Sequence, residues 1–185
     1  IILASISTSP NPKIFVESIS TFIIESICIR ATECSSISEA DFILSLPPDL
    51  NEVIDSYSFL IGTSLITDLV LLKSLAQKYD ECAYLEIGSW RGESLVNVSN
   101  VTKDCTSLTL SPDEMRTLNF KEDFIKVHGV FSDHIDTINR IGANSHTYDF
   151  NQLNKKFDLI FVDGDHSYKG VLNDTLKVFP LRKND

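Results

Sequence analysis

Two carboxylates and an imidazole, Asp163, Asp165 and His166, stand immediately after the apolar run Leu159-Ile160-Phe161-Val162. Ligands of open parallel sheets bind beyond the carboxyl ends of the strands, and these residue types supply oxygen ligands to a hard cation or a base to a substrate hydroxyl. Asp163-Gly164 also suits a turn and Ser167 a helix cap, but turn chemistry alone does not call for two Asp and a His together. Upstream, Glu86-Ile87-Gly88-Ser89-Trp90-Arg91-Gly92 puts a carboxylate at a strand end and two glycines around a turn into a helix. Gly88 can take backbone angles closed to other residues and let a ligand approach the main chain. A helix starting near Gly92 presents unpaired N–H groups to a negative group, and Glu86 would accept hydrogen bonds from a cationic or hydroxyl-bearing ligand. The two glycines are four apart with Trp90 between them, so the dinucleotide fingerprint G-x-G-x-x-G is not present. An ordinary strand-to-helix connection accounts for this turn equally well.

The elements that must position these groups alternate. Leu65, Leu69, Leu72 and Leu75-Ala76 recur at helical spacing and predict an amphipathic helix over 63–78. A strand at Ala83 to Ile87, a glycine turn and a helix from Gly92 to Val101 follow. Further strands are expected at Thr106 to Leu110, near His146 to Phe150 and at Asp158 to Val162, with helices from Pro112 and from Ser167 to Phe179. That alternation predicts an α/β, Rossmann-like, mostly parallel sheet with helices on both faces. Residues 1–60 differ: Phe15, Ile19, Phe22, Ile23 and Ile27 follow helical spacing, and Ser38-Glu39-Ala40-Asp41 resembles a helix start. They are expected to form an N-terminal, mainly helical extension ahead of a core spanning 61–185.

Tyr84-Leu85-Glu86-Ile87-Gly88-Ser89-Trp90-Arg91-Gly92-Glu93-Ser94 resembles the first motif of class I S-adenosylmethionine-dependent methyltransferases. Asp158 to Tyr168, continuing to Asp174, resembles the fourth-strand motif of their small-molecule branch, which includes sugar O-methyltransferases of the macrocin type. The resemblance covers about residues 63–185. It implies that Glu86 and the Gly88 to Gly92 backbone, Ser89 and Trp90 included, hold the amino-acid part of S-adenosylmethionine. Trp90 has two readings, a stack beside that cofactor and packing on the sheet. The acid that usually binds the ribose is displaced here to Asp113, and Asp149 falls where family members place an adenine contact. Asp163 matches the position that in metal-dependent members binds a divalent cation and helps deprotonate the acceptor. By the same resemblance Asp163 and Asp165 would hold Mg2+, with His166 as the alternative base. Further metal ligands come, in those members, from a fifth strand beyond Asp185, and C-terminal strands of the family's sheet are missing from these residues. An apolar fourth strand would then have an unpaired side, so the expectation is a chain truncated at its C-terminus or an edge covered by another chain.

The charge of -10, from 16 basic and 26 acidic residues, gives little grip on phosphate backbones or anionic lipid. The expected partner is a small-molecule acceptor, with no nucleic acid and no membrane, and a homo-oligomer left open. Cys28, Cys34, Cys82 and Cys105 form no paired CxxC pattern and read as free thiols of a reducing compartment. Ile14 to Ile29 is too short and too charged to cross a bilayer, and the expected location is the cytoplasm. His128, His134 and His146 share no regular spacing and read as surface or turn positions. Asp174 reads as a solvated or capping charge. The function expected is methyl transfer from S-adenosylmethionine to a small hydroxylated acceptor. The alternative is a non-catalytic nucleotide-binding or interaction module that kept the fold and lost the chemistry.

Overall fold

A computed structural model describes residues 1–4, 51–60 and 62–183. Their strands are β1 (Ile2–Ala4), β2 (Ala83–Ile87), β3 (Asp104–Thr109), β4 (Ile138–Gly142) and β5 (Leu159–Val162). All pairings are parallel, in the order β1-β5-β2-β3-β4. Among the described residues the helices are α1 (Ile66–Ala76), α2 (Glu93–Ser99), α3 (Pro112–Thr117), α4 (Glu122–Lys126) and α5 (Tyr168–Val178), with 3-10 turns at Phe150–Leu153 and Phe179–Leu181. The two expected helices over 12–29 and from Ser38 lie outside the described residues.

Alternation along the strands builds the two faces of the sheet. Tyr84 of β2 and Leu159 and Phe161 of β5 pack with Leu72 of α1 and Leu95 and Val98 of α2. Leu85, Ile87, Ile160 and Val162 point the other way, onto Val171 and Val178 of α5 and onto Phe150. Each face is therefore sealed by helices, which is why β2 and β5 are buried throughout and, Glu86 apart, apolar on both sides.

Two expectations change. The edge of β5 expected to be bare is paired within the chain: Ile2, Leu3 and Ala4 register with Ile160, Phe161 and Val162, and the Ile160 N–H donates to the Ile1 carbonyl at 2.9 Å. Part of the segment assigned to a helical extension thus belongs to the sheet. The strand expected near His146 to Phe150 is at Ile138–Gly142 instead. In β4 only Ile138 is buried, as befits an edge, so its residues show little of the apolar run that marks β5. Residues 144–153 are shaped by turns, with the Asn144 carbonyl accepting from the Tyr148 N–H at 2.9 Å and Asp149 capping the 3-10 turn.

Residues 51–60 carry no helix or strand and are held by side chains of α1 and α2. Asn97 accepts from the Asp55 N–H at 3.0 Å and donates to the Ser56 carbonyl at 2.9 Å. The Glu93 carboxylate accepts from the Ser58 N–H at 2.7 Å and from Arg91 at 3.2 Å. The buried Lys73 ammonium donates to the Val53 carbonyl. This polar seam delivers Gly62 to Ser64 to the carboxyl edge of the sheet.

Candidate functional site

The strand order turns back at β2 and β5: β3 and β4 extend to one side of β2, while β5, later in sequence, lies on the other. Such a switch point opens a crevice between the loops leaving the two strands. Here the Asp163 N–H donates to the Ile87 carbonyl at 2.8 Å, and the Gly88 N–H to the Leu108 carbonyl at 2.9 Å. A cleft of about 790 Å³ lies beyond them, lined by Gly88 and Trp90 after β2, Thr109 and Leu110 at the end of β3, Asn144 to His146 after β4, and Asp163 to His166 after β5. Gly62 to Ser64 and Asp68 of α1 border it on the helix side.

Both turn glycines have positive φ, 81° at Gly88 and 87° at Gly92, but the space that each leaves is filled by protein rather than kept for a ligand. A Cβ at Gly88 would lie 2.7 Å from the Asp163 carbonyl and run into the Gly164 backbone, and one at Gly92 would strike Ser132. The first glycine locks the β2 turn onto the β5 turn, and the second locks it onto the loop after α4. The Gly92 N–H closes its own turn on the Ser89 carbonyl at 2.6 Å. Trp90 also has positive φ, 35°. Its ring lies on Gly62, stacks on Phe124 at 5.0 Å and 12°, and carries the Arg91 guanidinium at 4.0 Å. With Phe120 stacked on Phe124 at 5.1 Å, an aromatic wall faces the cleft. The Trp90 Nε1–H is buried with no hydrogen-bond partner among the described residues.

Glu86 sits beneath the turn, fully buried and away from the cleft wall. Its carboxylate accepts from the Tyr84 hydroxyl at 2.5 Å and the Ser94 hydroxyl at 2.8 Å. Burial pushes it up to about 7 despite those hydrogen bonds. The same burial, with Glu86 alongside, holds the Tyr84 phenol well above its ordinary value. Ser89 meets Ser107 at 2.5 Å and opens on a side recess of about 50 Å³ that adjoins the cleft at Trp90 and Asp163.

Of the sequence-derived positions, Gly88, Trp90, Asp163, Asp165 and His166 converge on the cleft, whereas Asp113 and Asp149 do not. Asp113 points outward from α3 to pair with Arg116 at 3.0 Å, and Asp149 is exposed, bonded to Asn151. The acid next to Asp113, Glu114, turns inward instead: it closes a capping box with Ser111 and accepts from the Asn144 N–H at 3.0 Å. Hydrogen bonds from Ser111 and Asn144 hold its carboxyl low. Three residues that the sequence left as surface, turn or capping positions belong to this region. His128 lines the cleft with Nε2 3.1 Å from Thr109 Oγ1, and partial burial lowers its imidazole. His146 lines the rim with Nε2 3.6 Å from Asp165 Oδ2. Asp174 is fully buried beneath the same rim. The sequence signals for Asp174 were its place at the end of the motif that runs on from Asp158 and its position as a polar residue on an otherwise apolar helix face.

Asp163 Oδ1 lies 3.8 Å from His166 Nε2, and Asp165 Oδ1 accepts from the Ser167 N–H at 2.9 Å. Burial lowers the His166 imidazole. Each rim carboxylate thus has an imidazole nearby, at 3.6 and 3.8 Å, beyond direct hydrogen-bonding distance. Among the described residues no three His, Cys, Asp or Glu side chains converge on one point.

A parallel α/β sheet with a cleft at its switch point defines a Rossmann-like class of ligand-binding proteins. Residues 85–185 match the family described as methyltransferase domain, and the chain belongs to that family. Among solved structures, a Staphylococcus aureus protein described as a caffeoyl-CoA O-methyltransferase aligns at 18% identity and TM-score 0.45, over 89% of this chain and 68% of its own. The Podospora anserina methyltransferase PaMTH1, bound to SAH, aligns at 24% identity and TM-score 0.44, over 65% of this chain. This chain covers 50% of that enzyme's length. A coclaurine N-methyltransferase bound to N-methylheliamine and SAH aligns at 18% identity and TM-score 0.40, over 70% of this chain and 37% of its own. No curated protein sequence matches. Among the described residues no helix is long and apolar enough to cross a membrane.

Proposed function

We propose that the chain transfers a methyl group from S-adenosylmethionine to a hydroxyl of a small acceptor. The observation that carries this reading is the convergence of the Gly88–Trp90 turn and the Asp163–His166 turn on one cleft, in a chain of the methyltransferase domain family. S-adenosylmethionine, when bound, supplies a methyl group already made electrophilic by its sulfonium. The protein is left to align the acceptor oxygen and to receive its proton. Gly88 and Trp90 would hold the cofactor, with Trp90, Phe124 and Phe120 offering an apolar aromatic wall. Asp163 would take the proton, directly or through His166, and Asp165 would orient the rim. Glu86 supports the turn from below rather than touching the ligand, and Asp113 and Asp149 have no part in binding.

The non-catalytic alternative draws on the same facts: the carboxylate expected to hold the ribose is turned to solvent. Incubating the full chain with S-adenosylmethionine carrying a labelled methyl group, against panels of sugars and phenols, separates the two. Label in an acceptor supports transfer. Binding of the cofactor without label in any acceptor would favour the module.

A further inference from the structure

Asp174 is a fully buried carboxylate on α5 that makes no ion pair among the described residues. Its Oδ2 accepts from the Ser145 hydroxyl at 3.0 Å and its Oδ1 from Asn173 Nδ2 at 3.0 Å. It lies directly under Gly164, where an added Cβ would sit 3.6 Å from Oδ2. One turn further along α5, the Lys177 ammonium donates to the Ser145 carbonyl at 2.9 Å and the His146 carbonyl at 2.6 Å. The loop leaving β4 is therefore tied to α5 at its side chain and at two carbonyls, and the tie runs beneath the turn leaving β5. Both of those segments line the cleft, and above the tie they meet in the His146–Asp165 contact at 3.6 Å.

A buried carboxyl is a costly way to fill space, and burial does raise this one. Leu or Met at that helix position would pack against the sheet more cheaply. What the carboxyl adds is direction: Oδ2, with Oδ1 held by Asn173, fixes where Ser145, and with it the Asn144 to His146 segment, stands relative to Gly164. We propose that Asp174 is a positioning residue that, through Ser145, sets the spacing of the β4 and β5 loops across the cleft, so that losing it weakens cofactor binding without unfolding the protein. The proposal rests on the reading of the cleft as an S-adenosylmethionine site.

The test uses the full chain, calorimetry with S-adenosylhomocysteine and a thermal midpoint for each variant. Asp174→Ala and Ser145→Ala should each weaken binding on the order of tenfold, the scale on which small misplacements act, and the double variant should bind no worse than either single one because both remove one link. Asp174→Asn should bind within about threefold of the natural chain, since a hydroxyl both donates and accepts and Ser145 can reverse its hydrogen bond to meet an amide. Should Asp174→Ala fail to fold, Ser145→Ala and Asp174→Asn carry the comparison. A purely structural residue would lower the thermal midpoint in both Asp174 variants and leave the affinity of the folded protein unchanged. That result, or additive losses in the double variant, overturns the proposal while leaving the cofactor site standing. Absence of binding by the natural chain would instead overturn the methyl-transfer reading, and this inference with it.

Discussion

At the scale of single residues, the chemistry divides between groups on the cleft and groups beneath it. Asp163 is on the rim beside His166, so Asp163→Asn is expected to bind S-adenosylhomocysteine normally while slowing methylation by about 100-fold or more, the worth of a positioned base. Labelled-methyl assays alongside calorimetry read both effects. Glu86 is beneath, and its signature is in stability. Its folded pKa of about 7 lies above the ordinary 4.5, so the native state retains a proton that the unfolded chain has released. Its contribution is complete below the unfolded value and lost as pH rises through 7, on the order of 3 kcal/mol in all. Urea unfolding of Glu86→Gln should accordingly show a flatter dependence between about pH 5 and pH 8 than the natural chain. An equal pH slope in both proteins would remove Glu86 from that account. Residue types were legible in the sequence, but their depth was not: nothing in the letters separates a carboxylate sealed by Tyr84 and Ser94 from one facing a ligand.

The elements explain which parts of the fold the sequence carried. The β2 and β5 units were readable because a buried central strand is a continuous apolar run and the following turn advertises itself with Gly88 or with Asp163-Gly164. The β4 strand was not, since an edge strand with one buried residue resembles a loop, while Thr147-Tyr148-Asp149-Phe150 has strand-like letters and is bent by Asn144 and Asp149. Ile2–Ala4 was missed because parallel pairing joins segments far apart in sequence, and three residues carry no periodicity. Gly88 is where two such elements lock. With φ of 81° and Gly164 against its open side, Gly88→Ala is expected to cost roughly 2–4 kcal/mol by combining backbone strain with overpacking. Denaturant unfolding checks this, and a loss below about 1 kcal/mol would mean that the two turns separate easily.

On the scale of the whole molecule, a sheet covered on both faces keeps its interior closed to reagents. Burial pushes the Cys82 thiol to about 11 and the Cys105 thiol to about 12, so neither forms the reactive thiolate near neutral pH. In a Cys28→Ser, Cys34→Ser background, a thiol reagent at about pH 8 should label Cys82 and Cys105 only at the rate of global unfolding. Fast labelling of either would show that the sheet opens locally. Among the described residues a large cleft opens at the carboxyl edge where β2 and β5 part, and the functional account stands on that cleft. Titrating the full chain with S-adenosylhomocysteine in a calorimeter tests it most directly. The account predicts saturable one-to-one binding with Kd in about the micromolar range. A folded chain giving no saturable heat up to roughly millimolar ligand would contradict it.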